Sequence, residues 1–281
     1  MIFDRNETKD VVVLLGAGSM GTAIVRRISS GKKILLGDKS EVILEKVSNE
    51  LKYSGYDVEI HVVNALDKTS ILNFAQKAQS LGDVKYFIDT AGVSPNQAKP
   101  EQILHLDMVG TGYAIDAFAD VISKGGAGLI ISSQVGYMMR LSDDVENQIL
   151  ASNTEELMDI PFIKERFTQS SGQAYMIAKR VNHLQVQKAA ATSWKTKMAR
   201  INSLSPGIIV TPLAYDEFSA AGDNYQRMID ASASMRTGTS DEIADAAAFL
   251  LSENAGFING TDLLIDGGTI AAIKSGVFKL S

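Results

Sequence analysis

The sequence predicts an α/β fold in which a doubly wound, seven-stranded parallel sheet carries helices on both faces. Seven short apolar runs alternate with longer segments of helical periodicity along the 281 residues. The runs are apolar at nearly every position, which is typical of parallel strands that are buried on both faces. Crossovers between parallel strands are right-handed, and together they place helices on both sides of the sheet. The length suits a single domain over residues 1–281.

The predicted strands and helices follow one another in regular order. Each predicted strand is a run of β-branched and other apolar residues bounded by Gly, Asp or Ser, and each predicted helix repeats apolar residues three or four positions apart. The strands are predicted at Val11–Gly18, Lys33–Asp38, Asp57–Val63, Tyr86–Gly92, Gly128–Ser133, Ala199–Gly207 and Thr261–Gly268. The first three crossover helices are predicted at Met20–Ser29, Val42–Leu51 and Lys68–Ala78.

One long segment, about residues 135–173, interrupts this alternation after the fifth strand. It mixes acidic side chains such as Asp143, Asp144 and Glu146 with apolar ones such as Ile149 and Leu157. Connections of this length inside a compact domain are usually lids, binding elements or small helical inserts. We expect a helical insert, and the alternative is a surface insertion that only packs on the core.

The composition argues against several classes of function. The net charge is −6 and no run of Lys and Arg is present, which argues against a nucleic-acid surface. No stretch reaches the roughly 18 consecutive apolar residues of a membrane span, and the first ten residues are too polar for a signal peptide. The chain has no Cys and three scattered His. These counts predict no disulfide and no metal site, and they suit a cytoplasmic protein.

A glycine-rich turn after the first strand predicts a dinucleotide site. The run GAGSMG follows a predicted strand and opens a predicted helix. Glycines let the backbone turn tightly and approach a pyrophosphate at the helix N-terminus. The candidate cofactor residues in this turn are Gly16, Gly18, Ser19, Met20 and Gly21. A strand–helix turn that binds nothing can carry the same glycines, so the motif needs support from other positions.

That support comes from Asp38, which ends the second predicted strand 20 residues after Gly18. A carboxylate at this position would accept hydrogen bonds from the hydroxyls of the adenosine ribose, and it would repel a 2′-phosphate. The glycine turn contains no Arg or Lys to offset that repulsion, although Lys39 is adjacent and would weaken it. The sequence therefore favours NAD over NADP.

The run QAYMIAKR contains the pair that points to catalysis. Tyr175 and Lys179 are four residues apart, so on a helix they share one face. A phenol beside a fixed cation can donate a proton to a carbonyl and take one from an alcohol. An unperturbed Tyr has a pKa of about 10, and we expect the nearby positive charge to lower that pKa towards neutrality. Such a pair also arises by chance, so its position between other motifs gives it weight.

These motifs resemble those of the short-chain dehydrogenase/reductase family. LLGAGSMG, QAYMIAKR and SPGIIVTP occur in the family's order, and the resemblance extends to TDLLIDGG near the end of the chain. It implies a Rossmann-type fold and an NAD(P)-dependent oxidoreductase. The glycine turn departs from the family's usual TGxxxGxG spacing. Asp89 and Thr90 stand where the family usually has two Asn before Ala-Gly.

The resemblance also assigns roles to single residues. Ser133, three residues before Gly136, aligns best with the family's catalytic Ser, and Ser132 is the alternative. Asp107 stands where the family has a catalytic Asn, and a carboxylate there would carry charge unless burial raises its pKa. Cofactor contacts are implied for Asn64, Ala65, Ala91, Gly92, Tyr175, Lys179, Pro206, Gly207, Ile209 and Thr211.

The predicted function is an NAD(P)-dependent oxidoreductase that interconverts a secondary alcohol and a ketone, with Tyr175 as general acid and base. One alternative is a dinucleotide-binding sensor or scaffold that has lost redox activity. The other is a sugar-nucleotide epimerase or dehydratase, which would need a larger C-terminal substrate domain. Substrate contacts are expected from Gln134, Met138 and Leu213, and the resemblance implies a homodimer or homotetramer that pairs through the Tyr175 helix and the helix before it.

Overall fold

Seven strands form the centre of the protein in a computed structural model that describes residues 9–212 and 223–279. In chain order, β1 to β7 are Asp10–Leu15, Lys33–Asp38, Asp57–Val62, Asp83–Asp89, Ile122–Ile131, Arg200–Pro206 and Asp262–Ile265. They make one sheet in the order β3-β2-β1-β4-β5-β6-β7, and every neighbouring pair is parallel. The predicted seven-stranded parallel sheet is confirmed. Its strand order reverses between β1 and β4, where ligands bind in sheets of this kind.

Eleven α-helices connect and cover the strands in the described ranges. In chain order, α1 to α11 are Ser19–Ile28, Glu41–Tyr53, Lys68–Leu81, Pro100–Ile103, Thr111–Val121, Asp143–Ala151, Pro161–Arg166, Ser171–Ala191, Asp223–Ala231, Ser240–Leu251 and Thr269–Lys274. Several begin at a polar residue whose side chain accepts a hydrogen bond from a backbone N–H of the first turn, as at Ser40, Asp67 and Thr239. None of the described helices combines the length and apolarity of a membrane span.

The core has two layers because the strands are apolar on both faces. Val11 and Val13 of β1 point to one face, where α3, α5 and α8 pack, and Val12 and Leu14 point to the other, where α1, α2 and α10 pack. Phe87 of β4 stacks on Phe118 of α5, with ring centroids 3.8 Å apart. Both faces are therefore covered, as the uninterrupted apolar runs predicted.

Several strand boundaries differ from the predicted ones; β4, for example, is Asp83–Asp89 and not Tyr86–Gly92, and β7 ends at Ile265 and not at Gly268. Two of the differences have a clear physical reason. β1 ends at Leu15 and not at Gly18, because Gly16 has a φ of 90° and turns the chain out of the sheet. β5 begins at Ile122, six residues before the predicted start, because Ile122 pairs with Val84 of β4. The glycines at positions 125 and 126 had hidden this part of the strand in the sequence.

The long segment after β5 is largely helical. It contains α6, a 3₁₀ turn at Thr154–Asp159 and α7. Its apolar residues form a third cluster with α8 and with the chain just before α5; the cluster includes Ile103, Met108, Ile149, Leu157, Ile163, Phe167, Ile177, Val181 and Leu184. Arg180 of α8 also pairs with Glu146 of α6. The segment is thus packed against the sheet-covering helices by both apolar and charged contacts.

Candidate functional site

A continuous cleft runs along the carboxyl ends of the central strands and contains two adjoining cavities. The glycine-loop cavity has a volume of about 420 Å³ and is lined by the turn after β1, the end of β2 and the loop after β3. The tyrosine cavity has a volume of about 360 Å³ and is lined by the loops after β4, β5 and β6 and by the start of α8. The two cavities share Met20, Thr90, Gly92, Val93 and Thr211, so one elongated ligand can occupy both.

The glycine turn leaves the N-terminus of α1 open to this cleft. A Cβ on Gly16 would lie 2.7 Å from the backbone nitrogen of Ala91, so only glycine fits there. Gly18 is the N-cap of α1 and provides no side-chain cap, and a Cβ on it would meet nothing within 4 Å. The first N–H groups of a helix carry partial positive charge and need acceptors. The open N-terminus therefore suits the pyrophosphate of a dinucleotide.

Thr90 holds this turn in place, a role that the sequence did not indicate. Its hydroxyl donates a hydrogen bond to the carbonyl oxygen of Gly16 at 2.6 Å. Thr90 follows the last residue of β4, one strand away from the turn that it fixes.

Asp38 lines the glycine-loop cavity at the end of β2. One carboxylate oxygen accepts from the N–H of Ala17 at 2.9 Å, and the other accepts from the N–H of Ser40 at 2.9 Å. A carboxylate can accept about four hydrogen bonds, so Asp38 keeps capacity for ribose hydroxyls. Asn64 and Ala65 line the same cavity, and so do the apolar side chains of Ile43 and Leu66, which the sequence did not indicate.

The helix α8 brings Tyr175 and Lys179 together. The Nζ atom of Lys179 lies 5.4 Å from the centroid of the Tyr175 ring, and both residues line the tyrosine cavity. Tyr175 is half-buried, whereas Lys179 is buried with 4 % of its surface exposed. The predicted spacing of four residues therefore does place a phenol and an ammonium side by side.

The two candidate serines have different environments. The hydroxyl of Ser132 donates to the backbone carbonyl of Lys179 at 2.8 Å, so it is committed to holding α8. Ser133 is half-buried and is the N-cap of a 3₁₀ turn. Its Oγ atom accepts one hydrogen bond within the described residues, from the N–H of Val135 at 3.4 Å. The hydroxyl proton of Ser133 thus remains available to a ligand. This geometry favours Ser133 over Ser132 as the ligand-binding serine.

Asp107 lies beneath the tyrosine cavity and pairs with Lys179. It is fully buried in a π-helical turn at Leu104–Gly110, and its Oδ2 atom is 3.4 Å from the Nζ of Lys179. Its Oδ1 accepts from the N–H of Val93 at 3.0 Å, and its backbone carbonyl accepts from the Nδ2 of Asn182 at 2.7 Å. Burial raises the pKa of Asp107, and the charge of Lys179 opposes that rise.

Lys179 itself is held as a cation by its neighbours. Burial alone would lower the pKa of Lys179, but its electrostatic interactions with Asp107, Tyr175 and Asp89 outweigh burial and raise it. Lys179 also lies 3.5 Å from the carbonyl oxygen of Ile131. The cleft therefore has a permanent positive charge next to the phenol of Tyr175.

Asp89 is a second buried carboxyl near this ion pair. It ends β4, and its Oδ1 accepts from the N–H of Ala91 at 2.9 Å. Burial raises the pKa of Asp89 from 3.8 to about 7, although the hydrogen bond from Ala91 and the charge of Lys179 act in the opposite direction. Asp89 thus keeps its proton to a higher pH than an exposed carboxyl does.

We expect the substitution Asp89→Asn to remove a pH-dependent loss of stability. Between pH 3.8 and about 7 the folded state keeps a proton on Asp89 that the unfolded state has lost, so the stability of the wild type falls as pH rises through this window. Asn keeps an acceptor for Ala91 and cannot ionise. The variant should therefore gain up to about 4 kcal/mol over the wild type between pH 4 and pH 8. Urea unfolding at both pH values measures this difference.

Asp57 provides a control of opposite sign. Burial would raise the pKa of Asp57, but hydrogen bonds from Lys9 and Lys33 outweigh burial and lower it. The ionised Asp57 therefore stabilises the folded protein at pH values above the pKa that Asp57 has in the unfolded chain, and this stabilisation is lost as pH falls. Asp57→Asn should thus be less stable than the wild type at neutral pH and match it in acid. Parallel pH profiles for the two variants would contradict the assignment of Asp89.

The remaining predicted site residues divide into three groups. Pro206, Gly207, Ile209 and Thr211 line the tyrosine cavity, Ala91 lines the glycine-loop cavity, and Gln134 is a buried part of the tyrosine cavity. Met138 is half-buried and is absent from the described lining of both cavities. Leu213 lies outside the described residues.

Only the two ends of the segment after β5 contribute to the described wall of the tyrosine cavity, and its helices α6 and α7 do not. That wall includes Val135 and then Gly172, with no residue between them. The segment instead covers the face formed by α5 and α8: Thr154 donates to Asp116 at 2.8 Å, and Lys188 donates to the carbonyl of Ser152 at 2.7 Å. This is the face through which pairing with a second copy was predicted, and oligomerisation stays a prediction.

Comparisons with known proteins give the family. The family model described as enoyl-(acyl carrier protein) reductase matches residues 138–269. The chain is 38 % identical over 272 residues to the short-chain dehydrogenase/reductase bsc3 of Alternaria brassicicola, covering 95 % of this chain and 98 % of that protein. It is 26 % identical to the galactitol 2-dehydrogenase (L-tagatose-forming) of Cereibacter sphaeroides, covering 90 % of this chain and 92 % of the relative.

Solved structures agree on the fold. A short-chain dehydrogenase/reductase from Serratia marcescens superposes with a TM-score of 0.73 at 22 % identity, covering 93 % of this chain and 98 % of that one. A likeness at this identity supports the fold, and the relative from Alternaria brassicicola extends the match to the family. With its parallel sheet, glycine turn and Tyr175–Lys179 pair, this chain belongs to the short-chain dehydrogenase/reductase family and is an oxidoreductase of that type.

Proposed function

We propose that the protein uses NAD to interconvert a secondary alcohol and a ketone in the tyrosine cavity. The observation that carries this proposal is the meeting of Ser133, Tyr175 and the buried cation Lys179 at one end of a cleft whose other end is the open N-terminus of α1. Proton donor, fixed charge and dinucleotide site thus share one cavity system. A nicotinamide cofactor is the group that the family uses, and NAD is our proposal for this chain.

The residues of the cleft fit a dinucleotide. The open space over Gly18 accommodates a pyrophosphate, and the half-exposed side chains of Ile43 and Leu66 provide an apolar rim near Asp38, as an adenine ring requires. Gly92 lies at the junction of the two cavities, where a Cβ would come within 3.2 Å of the Oδ2 of Asp107. When bound, NAD supplies or accepts the hydride.

The protein's own groups move the proton and hold the substrate. Ser133 donates its free hydroxyl proton to the substrate oxygen and fixes it beside the phenol of Tyr175. As a carbonyl carbon gains hydride, its oxygen becomes negative, and Tyr175 donates a proton to it. Lys179 stabilises the phenolate that remains, because its ammonium lies on the same face of α8. Oxidation of an alcohol follows the same path in reverse.

Asp107 positions Lys179 in this scheme. The ion pair keeps the ammonium beneath Tyr175, and the hydrogen bonds from Val93 and Asn182 keep Asp107 in place. The backbone carbonyl of Asp107 already accepts a hydrogen bond from the side chain of Asn182. The Oδ2 atom of Asp107 is therefore the acceptor that we propose next to Lys179 in a path for the proton. The carboxylate thereby takes over the place that an amide has elsewhere in the family.

Asp38 sets the preference for NAD over NADP in this proposal. We expect Asp38→Asn to raise the ratio of kcat/KM for NADPH to that for NADH by about 10- to 100-fold, because the substitution removes the charge that repels a 2′-phosphate. Asn keeps an acceptor for the N–H of Ala17. Steady-state kinetics with both cofactors measure the ratio, and Asp67→Asn at the N-cap of α3 is the control. An unchanged ratio in Asp38→Asn would contradict the role of Asp38.

The activity itself is tested by following the oxidation of NADH and NADPH with a panel of ketones and sugars. The relative named galactitol 2-dehydrogenase makes sugar ketones a sensible part of that panel. Turnover that depends on NADH supports the proposal. Binding of NADH without turnover of any carbonyl compound would oppose it and would favour the dinucleotide-binding sensor or scaffold.

A further inference from the structure

We propose that the tyrosine cavity selects substrates that carry a second neutral oxygen function, which the side chains of Gln134 and Ser94 bind. The inference rests on the proposed function, because the reacting alcohol or ketone occupies the same cavity. It adds a substrate class, namely hydroxyketones and the corresponding diols, as opposed to ketones with a single oxygen.

Gln134 is the first observation. It directly follows Ser133, lines the tyrosine cavity and has 4 % of its surface exposed. Its Oε1 atom is buried and has no hydrogen-bond partner in the described parts of the chain. Buried amides are nearly always hydrogen-bonded in proteins, because an unpaired one costs about 1–3 kcal/mol. The Oε1 atom is closed to solvent in this conformation, so we infer that the side chain turns towards a ligand in the cavity that it lines and accepts a hydrogen bond from it.

Ser94 is the second observation, from a different strand end. It lies in the loop after β4, lines the same cavity and has 5 % of its surface exposed. Its backbone N–H donates to the Oε1 of Gln97 at 3.0 Å, which fixes the residue in the loop. The hydroxyl oxygen is buried and has no partner within residues 9–212 and 223–279. A hydroxyl donates and accepts, so it complements the amide.

Unpaired buried polar atoms are concentrated around the tyrosine cavity. Seven buried side-chain polar atoms in the described residues lack a hydrogen bond, and three of them belong to residues that line this one cavity: Ser94, Asp107 and Gln134. Asp107 has the cation of Lys179 at 3.4 Å. Ser94 and Gln134 have no such charge partner, so they remain available to a ligand.

The chemistry of the pair defines the ligand. An amide and a hydroxyl are neutral and can each donate and accept, so together they suit a hydroxyl or a carbonyl group. A site with buried polar groups strongly disfavours an analogue that leaves them unpaired. Ser133 and Tyr175 engage the reacting oxygen in the proposed mechanism. A second oxygen on the substrate is therefore the partner that Gln134 and Ser94 lack.

The test compares matched substrates in wild type and variants. Acetoin differs from butanone by one hydroxyl, and cyclohexanone can be paired with its α-hydroxy derivative. We expect the wild type to reduce the hydroxyketones with the higher kcat/KM. Gln134→Met and Ser94→Ala should each lower kcat/KM for the hydroxyketones about 10- to 100-fold more than kcat/KM for the plain ketones. Gln148→Met makes the same chemical change on the exposed face of α6 and serves as control.

The outcomes separate this inference from the proposed function. Equal losses of kcat/KM with both kinds of ketone would mean that Gln134 has only a structural role. Turnover by the wild type without preference for hydroxyketones would overturn the inference while the proposed function stands. Calorimetric titration of the NADH-loaded enzyme with either vicinal butanediol or secondary butanol measures binding without turnover, because NADH cannot accept a hydride from an alcohol. Preferential diol binding that Gln134→Met abolishes would support the inference even if no ketone is reduced, whereas equal binding of both alcohols would overturn it.

Discussion

Tyr175→Phe should lower turnover by about 10²- to 10⁴-fold while NADH still binds, which is the usual size of a lost general acid or base. The substitution removes one oxygen atom and leaves the ring next to Lys179, so the shape of the tyrosine cavity is retained. The proton that neutralises the substrate oxygen is lost. Steady-state kinetics give the loss of turnover, and a titration of NADH against protein fluorescence gives cofactor affinity.

Tyr113→Phe is the matched control for this substitution. Tyr113 lies on α5, packs against two of the core clusters and is absent from the described lining of the tyrosine cavity. Its loss of a phenol hydroxyl should leave turnover close to that of the wild type. Wild-type turnover in Tyr175→Phe, or equal losses in the two variants, would refute the assignment of Tyr175.

Lys179→Met should impair both stability and turnover. The substitution removes the cation that faces Asp107 at 3.4 Å, and breaking one partner of a buried ion pair costs about 3–5 kcal/mol. Asp107 and Asp89 can relieve part of this cost by holding protons, because burial already raises the pKa of both. A carboxyl whose pKa is raised in the folded state stabilises the fold only while it holds its proton, so its contribution to stability is lost as pH rises. We therefore expect the destabilisation to be larger at pH 8 than at pH 5.

Denaturant unfolding at the two pH values measures this effect, and Lys188→Met is its control. Lys188 lies on the same helix, and its Nζ donates to the carbonyl of Ser152 without facing a buried carboxylate. The control should lose less stability and show little dependence on pH. A loss in Lys179→Met that equals the control at both pH values would mean that Lys179 does not compensate the buried carboxyls.

The sheet and the main motifs could be predicted from sequence because their signals are local. The apolar run of β1, the turn at Gly16 and the spacing of Tyr175 and Lys179 each depend on residues that are close in the chain. The resemblance already favoured Ser133 over Ser132, but a physical reason needed the structure, because it depends on which hydroxyl is committed to the backbone of α8.

The parts that escaped prediction depend on contacts between distant residues. Asp89 and Asp107 come from different elements and meet Lys179 only in the folded protein, so their burial could not be inferred from spacing. Ser94 is an ordinary loop residue in the sequence, and its importance appears only when its hydroxyl is found buried without a partner in the described residues. The segment after β5 was predicted to be helical, but its apolar residues did not reveal that it covers α8.

The most direct test of the account is isotope transfer from the cofactor to the product. NADH carrying two deuterium atoms at C4 of the nicotinamide, so that either transferred hydride is labelled, is incubated with the enzyme and acetoin, and the diol is analysed by mass spectrometry. The account predicts one deuterium on the new carbinol carbon, formed by the wild type and nearly absent with Tyr175→Phe. Formation of the diol without deuterium, or bound NADH with no reduction of any carbonyl compound, would contradict it.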